Sequence, residues 1–516
     1  MKVQISKRYM LLPVSEGAQM KKVFLREEGV IRVELALRLS DAPDCVMPYD
    51  MRRFLGRTLE FSTEPATGFA PSFADSPDES GLYREKYRPA AHFTARRGWI
   101  NDPNGLVWYE GRFHMFFQHN PVDTVWGNMH WGHAVSDDLV RWTETEEALF
   151  PDENGAMFSG SAVVDSANAS GLRQGGHDPL LLFYTAAGGA GEMSRGALST
   201  QRMAYSVDGG RTFVKYEKPI IDTIAPANRD PKVVWCEELN QYLLALYLEG
   251  RAFCLFTSSN LLDWTELQRV FIEEDDECPD IYPLSADGER YWVMTAAHDR
   301  YVIGRFEGGH FVPLMSTGRL HYGLKSYAAQ TFFGAPDGRR IRFGWNQARI
   351  PGMPFTGSMT TPHDMSLKRV DGALKLCAWP SPEFEALRGE RREGEGCVPL
   401  SGRANDIELL IPAAGRRALR LFGLELTVDG DAGAVVKENG ARRVFGDAEN
   451  DAVRMPVRRE GGFIRLRVVQ DVHAVEIYAG DGDATLCLQH VSDGLLNRVE
   501  CEGARITAWA LKNIHE

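Results

Sequence analysis

The sequence predicts an all-β protein: a five-bladed β-propeller, with a small β-sandwich-like domain before it and a β-sandwich after it. Five apolar runs start roughly 50 to 67 residues apart, near the spacing of propeller blades, at 113–118, 180–185, 241–247, 291–296 and 341–346. A turn motif is repeated at 136–144 and 258–266. Helical periodicity is scarce, which disfavours the classes that alternate strands with helices.

A length of 516 residues predicts several domains. Apolar and polar side chains alternate in the first half of 30–37, which indicates a strand with one wet face, and strands resume after a charged, Gly-rich stretch at 388–396. The Ser, Pro and acidic residues of 72–80 are typical of a linker. We expect an N-terminal accessory domain at 1–75, a linker at 76–87, the propeller at 88–375, a second linker at 376–396 and the C-terminal sandwich at 397–516.

The charge and the cysteines exclude several functions. A net charge of −13 without a long basic run argues against a nucleic-acid or membrane partner and suits a neutral substrate. The N-terminus lacks signal-peptide features and no run of about 18 apolar residues occurs, so we expect a cytoplasmic protein. The eight cysteines have no CxxC spacing, which predicts reduced thiols and neither disulfides nor zinc.

The most informative stretch is 99–105, Trp-Ile-Asn-Asp-Pro-Asn-Gly, in which Asp102 sits among strong turn formers. Pro103 restricts the backbone of Asp102, so we expect a carboxylate held in a tight turn. Aromatic, amide and imidazole side chains surround it in sequence. They are suited to bind sugars, which offer apolar C–H faces and a rim of hydroxyls.

Two more carboxylates stand beside rigid turns, in Arg229-Asp230-Pro231 and in Glu277-Cys278-Pro279. The innermost strands of successive propeller blades converge on one axial funnel, so Asp230 and Glu277 could face Asp102 across it. Glycoside hydrolysis needs such a pair: one carboxylate at the anomeric carbon and one protonated carboxyl at the leaving oxygen.

Several of these motifs resemble a known family. His92-Phe93-Thr94, residues 99–105 and residues 118–121 are similar to the opening of glycoside hydrolase family 32, the β-fructosidases that include invertases, levanases and inulinases. Residues 471–478 look like the family's C-terminal strand signature. The resemblance runs from about residue 88 to the C-terminus, and it implies a five-bladed propeller followed by a β-sandwich, acting on fructosides with retention of configuration.

The resemblance also implies roles for the three carboxylates: Asp102 as nucleophile, Glu277 as general acid/base and Asp230 as stabiliser of the oxocarbenium-like transition state. Asp102 must stay ionised, and we expect hydrogen bonds from its turn to favour that form. The positions implied to line the fructosyl subsite are Asn101, Gln118, Trp126, Phe158, Ser159, Arg229 and Trp345. No cofactor and no metal is expected, because carboxylates suffice for this chemistry and no His or Cys spacing suits a metal.

One stretch departs from the family pattern. Where family members commonly read Asp-Phe-Gly-x-Asp-Phe-Tyr-Ala, this chain has His321 and Lys325 in place of the two acids. Both side chains could simply face solvent. The sharper hypothesis is that they add positive charge beside the leaving-group subsite, so that sucrose is a poor substrate and fructans or an anionic fructoside are preferred.

Other classes stay open at this point. A fructosyltransferase would use the same covalent intermediate and differ only in what intercepts it. A non-catalytic carbohydrate-binding propeller would not require all three carboxylate motifs, and a sialidase-like propeller would need an arginine triad and a Tyr nucleophile. The β-sandwich domains could also support a homo-oligomer.

Overall fold

The computed structural model describes residues 1–323, 325–421, 423–437, 452–490 and 497–516, and its secondary structure is almost entirely β. Within these ranges the helices are α1 (Pro382–Glu385) and two 3₁₀ turns, Arg52–Phe54 and Pro336–Gly338. In the described ranges, no helix has the length and apolar character needed to cross a membrane. The all-β prediction is confirmed.

Seven strands form two N-terminal sheets, which we call the N-terminal sandwich. They are β1 (Lys2–Gln4), β2 (Tyr9–Val14), β3 (Lys21–Glu27), β4 (Val30–Leu37), β5 (Cys45–Asp50), β6 (Thr58–Glu64) and β7 (Ser72–Ala74). One sheet has the order β1-β6-β3-β4 and the other β5-β2-β7. Val33, Leu35 and Leu37 of β4 are buried in one core with residues of the facing sheet, as the alternating pattern predicts. Strand β4 lies at the edge of its sheet.

Five further sheets form the blades of the propeller. Blade 1 contains β8 (Gly98–Tyr109), β9 (Arg112–Asn120), β10 (His130–Ser136) and β11 (Thr143–Glu144). Blade 2 contains β12 (Ala156–Val164), β13 (Leu180–Ala187), β14 (Thr200–Ser206) and β15 (Val214–Lys215). Blade 3 contains β16 (Arg229–Cys236), β17 (Gln241–Glu249), β18 (Ala252–Ser258) and β19 (Thr265–Phe271).

Blade 4 contains β20 (Asp280–Ala286), β21 (Glu289–Thr295), β22 (Arg300–Glu307) and β23 (His310–Pro313), with β24 (Gly318–Arg319) beside β22. Blade 5 contains β25 (Ser326–Thr331), β26 (Ile341–Asn346), β29 (His363–Val370) and β30 (Ala373–Pro380). Two short strands precede β29: β27 (Phe355–Thr356) and β28 (Ser358–Met359). Strand β27 pairs in parallel with β8, so the last blade is hydrogen-bonded to the first.

The five apolar runs that predicted the propeller are the second strands of the blades: β9, β13, β17, β21 and β26. Each of these strands has a partner on both sides and is covered by neighbouring blades, which is why its sequence is continuously apolar. A separate hydrophobic cluster fills the space between each pair of adjacent blades. The innermost strands β8, β12, β16, β20 and β25 contact one another around the axis.

The C-terminal sandwich contains β31 (Arg388–Pro399), β32 (Asn405–Pro412), β33 (Arg416–Leu421), β34 (Leu424–Asp429), β35 (Ala434–Lys437), β36 (Val453–Pro456), β37 (Phe463–Gln470), β38 (Ala474–Ala479), β39 (Ala484–Gln489) and β40 (Arg498–Leu511). The stretch 376–396, expected as a linker, instead holds the end of β30, helix α1 and most of β31. Strand β31 pairs with β40, and its charged, largely exposed side chains are typical of an edge strand.

A buried cluster of charged groups joins the propeller to the C-terminal sandwich. The Nδ1 atom of His92 lies 2.8 Å from Oδ2 of Asp471, and its Nε2 atom lies 3.3 Å from Oε1 of Glu476. Asp471 also accepts hydrogen bonds from the backbone N–H groups of Ala90 and Ala91. Two of the motifs on which the family resemblance rests are therefore paired with each other across this interface.

Candidate active site

Four innermost strands lose their regular register near the axial cavity. Register shifts fall between Ile100 and Pro103 in β8, between Phe158 and Gly160 in β12, between Arg229 and Lys232 in β16 and between Tyr327 and Gln330 in β25. A β-bulge re-aims the side chains on its strand. The prediction of a tight turn around Asp102 is wrong. Asn101 and Asp102 lie in a β-bulge, and the twelve-residue strand β8 continues through the turn-forming residues.

The bulges border an axial cavity of about 310 Å³. Its lining residues are Asn101, Asp102, Gln118, Trp126, Met129, Phe158, Ser159, Arg229, Asp230, Glu277, Tyr327 and Trp345. Ten of these twelve are site residues singled out from the sequence. All three carboxylates are among them, although 175 positions of the chain separate Asp102 from Glu277.

Asp102 is buried and accepts three hydrogen bonds. The hydroxyl of Ser159 donates to Oδ2 at 2.5 Å, the amide of Asn101 donates to Oδ1 at 3.2 Å, and the thiol of Cys278 lies 3.5 Å from Oδ2. Burial raises the pKa of Asp102, and these hydrogen bonds, Ser159 first, lower it. The hydrogen bonds favour the carboxylate, as expected, but burial outweighs them, and the pKa of Asp102 lies above its usual range.

Asp230 occupies a left-handed backbone position, with a φ of 65°. Its N–H donates to the hydroxyl of Thr185 at 2.9 Å, and its Oδ2 atom accepts the N–H of Cys278 at 3.1 Å. Burial raises the pKa of Asp230 to about 7; Arg229 opposes the rise, and the carboxylates of Asp102 and Glu277 add to it.

Glu277 lies three residues before the start of β20 at Asp280, and its φ of 52° is also left-handed. One carboxylate oxygen lies 2.5 Å from Nη2 of Arg229, and the other accepts the hydroxyl of Tyr327 at 2.8 Å. The side chain of Glu277 is 31% exposed, against 4% for Asp230. Glu277 is thus the carboxylate with access to solvent, while Asp102 and Asp230 lie deeper.

Aromatic rings form much of the remaining cavity wall. Trp126 is 58% exposed and contacts Phe158 edge to face, with ring centroids 6.1 Å apart. Trp345 contacts both Tyr327 and Trp99 in the same way. Gln118 is fixed by a hydrogen bond from its amide to the carbonyl of Met157. These rings can cover the apolar faces of a sugar while the carboxylates accept its hydroxyl hydrogens.

Sequence reasoning missed Tyr327, Cys278 and Met129. Cys278 lies between two carboxylates, with its sulfur 3.5 Å from Oδ2 of Asp102 and 3.5 Å from Oδ2 of Asp230. Its place immediately after Glu277 was the available signal. Tyr327 stands two positions after Lys325, in the stretch that lacks the family's two acids, and Met129 follows Trp126 by three positions.

The proposed role of His321 is wrong. Its side chain is buried against the C-terminal sandwich, where Nδ1 lies 3.1 Å from the hydroxyl of Thr485, and it does not line the cavity. Burial lowers the pKa of His321 to about 4, so it adds no positive charge near neutral pH. Lys325 is likewise not among the residues that line the cavity, and Leu324 between them lies outside the described residues.

Among the described residues, one cluster brings potential metal ligands together: Asp275, Asp276 and His298, whose ligand atoms lie within 4.8 Å of one another. The oxygens of Asp275 already accept the backbone N–H groups of His298 and Arg300. They also contact Nδ1 of His298 at 2.9 Å. These contacts stabilise the turn that leads to Glu277, and they already occupy the oxygens of Asp275.

A propeller whose axial cavity gathers three carboxylates of different exposure, with aromatic rings at its rim, has the arrangement of a glycoside hydrolase. The comparisons with known proteins agree. A profile of the glycosyl hydrolases family 32 N-terminal domain matches residues 92–380. The chain belongs to glycoside hydrolase family 32.

Individual relatives show how far the similarity extends. A levanase of Bacillus subtilis is 32% identical over 464 residues, which cover 80% of this chain and 67% of that protein. An invertase of Schizosaccharomyces pombe is 34% identical over 326 residues, covering 56% of this chain and 55% of that protein. The crystal structure of an exo-inulinase from Aspergillus awamori superposes with a TM-score of 0.75 at 25% identity, covering 84% of this chain and 99% of that one.

Proposed function

We propose that this enzyme releases fructose from β-D-fructofuranosides, with short fructans of the inulin or levan type as substrates, through a fructosyl-enzyme intermediate. The observation that carries the proposal is the meeting of Asp102, Asp230 and Glu277 in one aromatic-lined cavity, with two acids buried and one partly exposed. The names of the relatives, levanase, exo-inulinase and invertase, support the choice of fructoside.

In the first step, the carboxylate of Asp102 attacks the anomeric carbon and Glu277 donates its proton to the leaving oxygen. The contacts of Arg229 and Tyr327 fix the two oxygens of Glu277, so the proton is delivered from a defined position. In the second step, Glu277 takes a proton from water, which attacks the fructosyl ester and frees Asp102.

Asp230 stabilises the transition state from the side of the ring hydroxyls. Its carboxylate faces the same cavity as Asp102 and is held by the N–H of Cys278 and by Arg229. Hydrogen bonds from sugar hydroxyls to an ionised carboxylate strengthen as positive charge develops on the ring. Arg229 contacts both Asp230 and Glu277 and so couples this group to the acid/base.

Transfer of fructose to a sugar hydroxyl remains the alternative, since it uses the same intermediate. The experiment is product analysis with sucrose and with inulin-type and levan-type oligosaccharides, side by side. We expect free fructose as the main product, with fructans cleaved at least as efficiently as sucrose. Longer oligosaccharides as the main product would favour the transferase, and no cleavage of any β-fructoside would refute the proposal.

Two expectations about the cellular context stay predictions. A cytoplasmic location is one of these predictions, whereas the exo-inulinase of Aspergillus awamori is described as extracellular. A homo-oligomer through the sandwiches is also a prediction, which light scattering of the purified enzyme would test.

The active centre is proposed to need no metal, and activity should survive exhaustive chelation.

A further inference from the structure

The edge strand β4 of the N-terminal sandwich is hydrogen-bonded to a loop of the propeller. Residues 121–129, which we call the Trp126 loop, connect β9 to β10. The side-chain amide of Asn128 accepts the N–H of Ala36 at 2.7 Å and donates to the carbonyl of Ala36 at 2.7 Å. One amide side chain thereby satisfies both backbone groups of an edge-strand residue.

An ion pair between Arg38 and Asp123 also holds this loop. Arg38 lies two residues after Ala36, and Asp123 lies in the loop. Asp123 is fully buried, and Arg38 donates to it from its backbone N–H at 2.8 Å, from Nε at 3.0 Å and from Nη2 at 2.5 Å. The guanidinium also donates to the hydroxyl of Thr124 at 2.8 Å. A bidentate pair whose carboxylate is buried fixes geometry far more strongly than an exposed ion pair does.

This loop carries Trp126 into the cavity wall. Trp126 is more than half exposed and has a ring contact with Phe158, so its position depends on the backbone that presents it. The loop has some support of its own, because the amide of Asn120 bonds the carbonyl of Val125. Its outer face rests on Ala36 and Arg38.

The same strand also contacts blade 2. The carboxylate of Glu34 accepts the N–H of Met193 at 2.8 Å, in the loop between β13 and β14. Strand β13 ends beside the start of β12, where Phe158 lines the cavity, so this loop lies at the same mouth. Glu34 and Ala36 of β4, together with Arg38 directly after the end of the strand at Leu37, thus contact the loops of two blades at the mouth.

We propose that the N-terminal sandwich is part of the active-site wall: through Ala36 and Arg38 it positions Trp126, and it thereby sets the affinity for β-fructoside oligosaccharides. The proposal rests on the proposed function, because the ligand is the same fructoside. Arg38 is a positioning residue that acts through Trp126 and touches no substrate. The N-terminal sandwich is then not a separate carbohydrate-binding module.

The first test is a double-mutant cycle of Arg38→Ala and Trp126→Ala, assayed with a short inulin-type oligosaccharide. We expect Arg38→Ala to raise KM about tenfold with kcat changed less than about twofold, since binding and not the chemical step is affected. In the Trp126→Ala background, the same change should have less than a twofold effect. Independent, multiplicative effects of the two substitutions would overturn the proposal.

The matched control is Arg57→Ala, which removes another arginine of the N-terminal sandwich. Arg57 pairs with Glu27 of the same sandwich and is 42% exposed, so this variant should keep the KM of the wild type. An equal rise of KM in both variants would indicate general loosening of the sandwich and would refute a specific role. Because Arg38→Ala leaves Asp123 buried without its partner, Asp123→Asn is the second variant, and we expect the same rise of KM.

A second measurement does not depend on activity. Hydrogen exchange followed by mass spectrometry should show faster exchange at 121–129 in Arg38→Ala and Asp123→Asn, and wild-type exchange there in Arg57→Ala. Unchanged exchange in the Trp126 loop would overturn the inference even if the enzyme were inactive on every β-fructoside. Inactivity of the wild type would refute only the proposed function.

Discussion

At the scale of residues, burial decides how the three carboxylates differ. Asp102 and Asp230 are enclosed, and burial raises the pKa of each, whereas Glu277 reaches solvent. The hydroxyl of Ser159 donates to Asp102 and opposes the effect of burial. Ser159 therefore favours the ionised form of Asp102, the proposed nucleophile.

Replacing Ser159 by Ala tests this balance. Loss of the hydrogen bond removes an interaction that lowers the pKa of Asp102, so that pKa rises further. Because Asp102 must be ionised, the acid limb of the pH profile of kcat/KM should move to higher pH by about one to two units, the equivalent of a hydrogen bond to a charged group.

The control for that experiment is Ser258→Ala, in an outer turn of blade 3 where the hydroxyl accepts backbone N–H groups. Its pH profile should match that of the wild type. An acid limb that does not move in Ser159→Ala would show that this hydroxyl has no part in the ionisation of Asp102.

The sequence predicted most of the cavity but not its contacts. Asp102 and Asp230 each directly precede a proline, and Glu277 stands two residues before one, so each could be found singly from its motif. Tyr327 could not be found in this way, because its position in the cavity depends on a bulge in β25 that no local sequence pattern predicts. His321 was misread for a related reason: its partner, Thr485, lies 164 positions away in another domain.

At the scale of elements, the bulged innermost strands form the scaffold of the site. Gly160 closes the bulge that presents Ser159, and its N–H donates to Asn104 while its carbonyl accepts the amide of Gln330. A Cβ atom at this position would lie 1.9 Å from the carbonyl oxygen of Phe183 on the neighbouring strand. The close approach of β12 and β13 therefore requires glycine here.

We expect Gly160→Ala to force the two strands apart, to lower Tm and to reduce kcat/KM at least about tenfold, since overpacking a rigid interior costs about 1–3 kcal/mol and moves Ser159. The control is Gly176→Ala, whose added Cβ would meet no atom within 4 Å. Calorimetry and initial rates measure both effects. A stable Gly160→Ala enzyme with full activity would contradict the view that the bulge positions the site.

The strands themselves were predictable to different degrees. The second strand of each blade is apolar along its length because neighbours cover both faces, and that made the five blades visible. The bulged inner strand β8 carries Asn101, Pro103, Asn104 and Gly105, residue types that are typical of a turn. Strand β31 was mistaken for a linker because an exposed edge strand is as charged as a loop.

At the scale of the whole molecule, the cluster of His92, Asp471 and Glu476 holds the propeller against the C-terminal sandwich. Burial would lower the pKa of His92, but the hydrogen bonds of Asp471 and Glu476 raise it to about 10. Burial would raise the pKa of Asp471, but its bond with His92 lowers it to about 2. The pair is therefore charged in the folded protein across the neutral range.

This predicts how stability depends on pH. A histidine whose pKa is raised on folding contributes its full stabilisation below the unfolded pKa, about 6.5, and loses it as the pH rises through about 10. Calorimetric Tm should fall between pH 6.5 and 10. The fall should be smaller in His92→Gln, while His177→Gln, at an exposed site, should behave as the wild type. Equal alkaline losses in His92→Gln and the wild type would refute the contribution of this cluster.

Covalent catalysis through Asp102 is tested by azide rescue of Asp102→Ala and Glu277→Ala on an activated β-fructofuranoside. The decisive measurement is the anomeric configuration of the fructosyl azide that each variant forms. Each variant alone should lose at least about a thousandfold in kcat. In Asp102→Ala, azide takes the place of the carboxylate and displaces the leaving group directly, so NMR should show the α-azide. In Glu277→Ala, azide attacks the fructosyl-enzyme, so the β-azide should form. A β-azide from Asp102→Ala, or near wild-type hydrolysis by that folded variant, would contradict a covalent mechanism through Asp102.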